Sequence, residues 1–195
     1  MNPKTLQATY LGLLHEIERI IDKDSLRSII DNDEILDQLQ ALFVNSPAVE
    51  GLPADSAAYL VKMADRIVTG AELRSNEGQA FENGALSIDP AVPLSSVFNN
   101  LKGANLSYGY KPEVLSEHIN YPLDEEGLRI SPDDYKKIAD MLKPALARIS
   151  FGKKAVNALL SVLETYISCL PSNTVHKDTA DIPLYDHCKL TAAIA

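Results

Sequence analysis

Chemistry in this chain has to come from a few histidines and carboxylates. His15 and Glu16 are neighbours in YLGLLHEIERI, inside a stretch with apolar residues at helical spacing. Adjacent helical side chains diverge by about 100°, yet both can reach one ion lying against the edge between them. The alternative is a core-edge histidine with one ring nitrogen hydrogen-bonded beside a solvated glutamate, and spacing alone favours it. Asp65 is more unusual. Val61 lies four residues before it and Val68 three after, so a carboxylate shares an apolar helix face. It must be paired, hydrogen-bonded or metal-bound there. A packing salt bridge, for instance to Arg19, serves as well as a functional role. His187 follows Asp186 at the start of the last helix, where contact with Asp186 or solvent is the plain reading. His118 and His176 fall in loop-like segments and read as surface residues. Cys169 and Cys188 read as small, partly buried apolar groups. Imidazole and carboxylate together suit a divalent ion, and three helices can bring His15, Glu16, Asp65 and His187 to one point. Their spacing does not by itself establish such a site. No Gly-rich phosphate loop or CxxC occurs, and no local pattern marks a serine or cysteine nucleophile.

The elements that must position these residues read mostly as helices. Leu6, Tyr10, Leu13, Leu14, Ile17, Ile20 and Ile21 mark a first helix, and Ile35, Leu36, Leu39, Leu42 and Phe43 a second over 34–44. NSPAVEGLPADS is a loop. A third helix spans 56–73, with Ala57, Leu60, Val61, Ala64, Val68 and Ala71 on one face. From 74 to 93 the chain is polar, an expected mobile excursion. LSYGYKPEVLS and HINYPL suggest a small β element. Ser131, Pro132, Asp133 and Asp134 open another helix, which Pro144 should kink or interrupt. A further helix covers 155–170, then the polar loop PSNTVHKDTAD, then a last helix opening near Pro183. That helix runs about three turns and stops on Ala-Ala-Ile-Ala without a cap, so the natural protein is expected to continue.

Composition narrows the class. Apolar residues make up 46% and charged residues 23%, as in an ordinary globular chain. No apolar run approaches the roughly 20 residues that span a bilayer, and no signal-peptide plan opens the chain, so no membrane partner is expected. Two cysteines suit a reducing cytoplasm. A net charge of −9 disfavours nonspecific attraction to phosphate backbones.

Several segments together resemble one family. The stretch from Leu159 to Ala195, ending DIPLYDHCKLTAAIA, resembles the closing signature of the N-terminal HD domain of the large subunit of type III-A (Csm-type) CRISPR–Cas effector complexes. AYLVKMADRIVTGAELR resembles that family's Ala-Asp-x-(Ile/Leu)-x-x-Gly-x-x-Arg helix, PLSSVFNNL its PLxSIF segment, and YLGLLHEIERI its GALLHDIGK. The resemblance implies a mostly α, permuted HD-domain helical bundle over 1–195, with an irregular or β insertion around 75–130. The family's palm domains, which make cyclic oligoadenylates, would lie outside it. It also implies a metal set of His15, Glu16, Asp65 and His187, with Asp65 as the catalytic carboxylate and a divalent, manganese-like transition ion as cofactor. Single-stranded DNA is the implied substrate, in antiviral defence, and the implied partners are other effector subunits and a guide RNA.

The chain departs from the active pattern in three places. Glu16 stands for aspartate, Glu18-Arg19 for Gly-Lys, and the family's His-His pair, expected near Ala41 to Val44, is missing. One extra methylene moves the Glu16 carboxylate by roughly 1.5 Å. Loss of the histidine pair argues against two-metal hydrolysis. The expectation is therefore a degenerate nuclease domain with little or no activity. The competing reading is an active single-strand deoxyribonuclease using a reduced, single-metal ligand set.

Overall fold

The computed structural model describes residues 2–43, 51–72, 91–101, 107–115, 120–124, 128, 130–174 and 180–195. Among the described residues there are seven α-helices: α1 (Pro3–Leu14), α2 (Lys23–Ile29), α3 (Asp33–Leu42), α4 (Ala57–Glu72), α5 (Pro132–Leu146), α6 (Val156–Ile167) and α7 (Leu184–Ile194). Three short strands, β1 (Leu94–Ser95), β2 (Tyr108–Tyr110) and β3 (Leu123–Asp124), form an antiparallel sheet in that order. The mostly α architecture with a small β insertion is thus as the sequence suggested. Among the described residues no helix is long and apolar enough to cross a membrane.

α1 is the central helix. Its last five residues, Tyr10 to Leu14, are all buried, so it is apolar around most of its circumference and must be enclosed. α4 and α7 pack on it and on each other, with α3 and α6 completing the enclosure. Gly12 permits the close approach of α7, because a Cβ there would lie 2.6 Å from the Ala192 Cα. Local sequence sets the helix starts. Asn2, Asp22 and Asn32 accept hydrogen bonds from the backbone of Lys4, Ser25 and Ile35. Ser131 and Asp134 form a reciprocal capping box at α5.

The structure corrects several expectations. α1 ends at Leu14, and a short 3-10 helix, Ile17–Arg19, follows. His15 and Glu16 therefore lie at a helix break rather than within a helix. α2 was not expected: at seven residues, with only Leu26 and Ile29 buried, its apolar period is too short to register. On α4, Leu60 and Ala71 are exposed, and Ala58 and Glu72 are buried instead. Pro144 does not interrupt α5, which continues to Leu146. Asp140, four residues earlier, is exposed, so water can satisfy the carbonyl that loses an N–H partner. Cys169 and Cys188 are fully buried. In the loop after α6, Ser172, Asn173 and Thr174 are buried rather than solvated. His118, His176 and residues 74–90 of the expected 74–93 excursion lie outside the described residues.

The loop between α6 and α7 is tied at both ends. Ser172 N–H donates to the Ile182 carbonyl at 2.9 Å, and Leu184 N–H to the Leu170 carbonyl at 2.7 Å. Ser95 N–H donates to the Ala180 carbonyl, which seats the small sheet against the same loop. These bonds fix where α7 begins, and hence where His187 stands.

Candidate metal centre

His15 is the C-cap residue of α1, with φ −60° and ψ −24°. Glu16 has left the helical region at φ −101° and ψ 4°. The break lets the two side chains converge, and His15 Nε2 lies 3.8 Å from Glu16 Oε1. His15 Nδ1 lies 2.7 Å from the Gly12 carbonyl, one of the carbonyls a helix leaves unpaired in its last turn. A carbonyl only accepts, so Nδ1 carries the proton and Nε2 is the nitrogen turned to the site.

α7 presents His187 from the opposite side. The two Nε2 atoms face each other at 3.2 Å, and both rings are buried. Asp65, on α4, completes the group: its Oδ1 is 3.6 Å from His15 Nε2 and 3.3 Å from His187 Nε2. Thr69, one turn on, donates to the same oxygen at 3.2 Å. The four sequence-predicted residues, His15, Glu16, Asp65 and His187, thus come together, each offering a ligand atom within 4.8 Å of the others. Asp65 does not pair with Arg19. Arg19 Nη1 instead donates to Glu16 Oε2 at 2.8 Å and to the Ser172 carbonyl at 2.7 Å. Its Nε and Nη2 are buried without a hydrogen-bond partner among the described residues.

Two residues that sequence reasoning passed over border this cluster. Glu72, two turns beyond Asp65 on α4, lies 2.9 Å from His187 Nδ1. Its other oxygen accepts from Ser172 Oγ at 2.9 Å. The available signal was the seven-residue interval from Asp65, which returns a helix to the same face.

Electrostatics follow from this crowding. Burial opposes a charged His187, but hydrogen bonds to Asp65 and Glu72, with the charge of Glu72 and Glu16, push its pKa up to about 9. Burial likewise opposes ionised Asp65 and Glu16. Hydrogen bonds to His15 and His187 nevertheless hold Asp65 well below the usual carboxylate range. For Glu16 the charges of Arg19 and the two histidines outweigh burial and lower its pKa. Cys188 is pushed well up by burial and stays a thiol.

The donor set suits a divalent ion. Ligands about 2.0–2.2 Å from a tetrahedral ion are roughly 3.4 Å apart, close to the 3.2, 3.3 and 3.6 Å edges of the two imidazoles and Asp65. Two neutral Nε2 atoms at 3.2 Å would oppose their lone pairs, so a proton or a cation belongs between them.

Fold and cluster together define a mostly α bundle with a possible metal-binding group at the junction of α1, α4 and α7. Comparison with known proteins says which kind. A scan against protein-family models finds no match. The chain is 29% identical, over an alignment of 210 positions that covers all of it, to the CRISPR system single-strand-specific deoxyribonuclease Cas10/Csm1 (subtype III-A) of Streptococcus thermophilus. It is 33% identical, over an alignment of 148 positions that covers 73% of it, to the protein of that name from Mycobacterium tuberculosis. It covers 28% and 17% of those proteins, respectively. Among solved structures, a Csm1–Csm4 cassette in complex with cA4 matches all of this chain over 28% of its own, with TM-score 0.64 and 23% identity. A Csm1–Csm4 subcomplex of the type III-A CRISPR–Csm interference complex matches 97% of it at TM-score 0.63 and 22% identity. The chain is homologous to the Cas10/Csm1 proteins of subtype III-A and spans little more than a quarter of the length of the Streptococcus relative.

Proposed function

We propose that residues 1–195 form a permuted HD-type domain of a type III-A CRISPR large subunit whose cluster holds one divalent transition ion and whose cleavage of single-stranded DNA is weak or absent. The convergence of His15, Glu16, Asp65 and His187 carries the reading. When bound, such an ion lowers the pKa of a water and shields a phosphate. The chain's own residues do the rest. Gly12 and Glu72 turn the two imidazoles so that each Nε2 faces inward. Asp65 and Glu16 supply negative charge, Asp65 is the carboxylate placed to accept a proton beside the ion, and Arg19 restrains Glu16.

Weak activity is supported by what stands where the family has its histidine pair. Leu42 and Phe43 are buried there in the apolar core, 9% and 3% exposed, so that segment offers no ligand for a second ion. The intact geometry of the four-residue set favours the second reading, an active deoxyribonuclease with a single ion. In either case the full-length protein is proposed to act with a Csm4-like subunit, other effector subunits and a guide RNA.

The test is an assay on labelled single-stranded DNA with manganese, nickel or cobalt, set beside the Asp65→Ala, His187→Ala double variant. The degenerate reading predicts metal binding by calorimetry in wild type only, with little cutting by either protein. Strong cutting lost in the variant establishes the second reading. Absence of metal binding in wild type removes both.

A further inference from the structure

His187 is gripped at both ring nitrogens, and only one grip belongs to the four-residue cluster. Nε2 faces His15 and Asp65, while Nδ1 lies 2.9 Å from Glu72 Oε1. Glu72 is buried, and its other oxygen accepts from Ser172 Oγ. A carboxylate in such a place is costly unless its oxygens are paired, and here the pairing is specific. Ionised, it can only accept, so His187 Nδ1 carries a proton and the Nε2 lone pair is the one left for an ion. Ser172 reaches the other arm as well, since its carbonyl accepts from Arg19 Nη1, the atom that holds Glu16.

We infer that Glu72, braced by Ser172, is a positioning residue that fixes the tautomer and ring orientation of His187 and so presents Nε2 to the metal. The inference rests on the metal-site reading and extends it to a residue that touches no ligand atom facing the ion. Carboxylates behind ligating histidines raise the basicity of the ring and hold its angle, and their loss costs 10- to 100-fold in metal affinity. The competing account is an ion pair that merely joins α4 to α7.

The experiment uses the full chain with 15N-labelled histidine, titrated with zinc ion by calorimetry and observed by long-range 1H–15N spectra. In wild type, zinc-loaded His187 shows a protonated, exchange-protected Nδ1 and a metal-bound Nε2. Glu72→Gln keeps an acceptor for Nδ1–H and preserves this signature, with affinity within about fivefold. Glu72→Met removes the acceptor, loses the protected Nδ1–H and binds zinc 10- to 100-fold more weakly. Ser172→Ala lowers affinity three- to tenfold and weakens the protection. Wild-type affinity and signature in Glu72→Met overturn the inference, as does equal loss in Gln and Met. Should the Met variant not fold, unchanged affinity and protection in Ser172→Ala overturn it. If wild type binds no zinc, the metal reading falls by itself. The Nδ1–H resonance of the metal-free protein then decides: present in wild type and Glu72→Gln it upholds the positioning, and absent in wild type it overturns it.

Discussion

Gly12 of α1 and Ala192 of α7 lie so close that a Cβ on residue 12 would stand 2.6 Å from the Ala192 Cα. This contact sets the spacing of the two helices that carry His15 and His187. Gly12→Ala must therefore push the helices apart, since no flexible side chain can yield. The expected cost is about 1–3 kcal/mol, together with loss of metal binding as the 3.2 Å Nε2 pair opens. Ala192→Gly should not rescue it, because the obstruction is backbone. Thermal unfolding and metal titration of the single and double variants check this, and a restored double variant would contradict it.

Arg19 works through one nitrogen. Nη1 makes both of its hydrogen bonds, to Glu16 and to the Ser172 carbonyl, while Nε and Nη2 make none among the described residues. A lysine ammonium can supply the same two bonds. Arg19→Lys should therefore fall within about 0.5 kcal/mol of wild type, against the usual rule that the two cations are not interchangeable. Arg19→Met leaves Glu16 and the Ser172 carbonyl without a donor and should cost roughly 1–3 kcal/mol. Denaturant melts of both variants decide it.

The pH dependence has opposite signs with and without metal. Metal-free His187, with its pKa pushed up to about 9 from an ordinary 6.5, gains a proton on folding. Its contribution to stability is complete below pH 6.5 and is lost as the pH rises through about 9. An ion requires the Nε2 lone pair and must expel that proton. Metal affinity should therefore rise about tenfold per pH unit from neutrality and level off near 9. Unfolding in chelator and calorimetric titration across this range measure the two slopes. A flat affinity profile would show that His187 is not a ligand.

Restoring the histidine pair by substitution should not restore a second metal site. Phe43 is 3% exposed and packed in the core, so Phe43→His removes apolar contact and buries an imidazole without a partner. A loss of about 3 kcal/mol or more is expected, without added metal stoichiometry. Chemical denaturation and a metal-to-protein ratio test both parts.

What was legible in the sequence depended on how local the determining physics was. Ser131, Pro132 and Asp134 announced the start of α5 because a capping box is written within four residues. His15, Glu16, Asp65 and His187 were each ambiguous by spacing, and the family resemblance made a set of them. The break after Leu14 was hidden, because Ile17, Ile20 and Ile21 continue a helical period through it. Ser172 and Glu72 were missed for a related reason. A serine in a polar loop and a glutamate at a helix end look solvated until tertiary packing encloses them. His187 on α7 sets Glu72 apart from a surface residue, and Glu72 and Arg19 do the same for Ser172.

The two imidazoles that meet at 3.2 Å are separated by 172 positions in the chain. Their encounter closes a loop that takes in most of residues 1–195, and contacts of that range are the slowest to form. A nascent chain emerging from the ribosome holds His15, Glu16 and Asp65 long before His187 exists. Until then α1 has no α7 against which to pack Gly12 and His15. Among residues 1–195 the site is thus a late event of folding, and the synthesis of α7 acts as its assembly step.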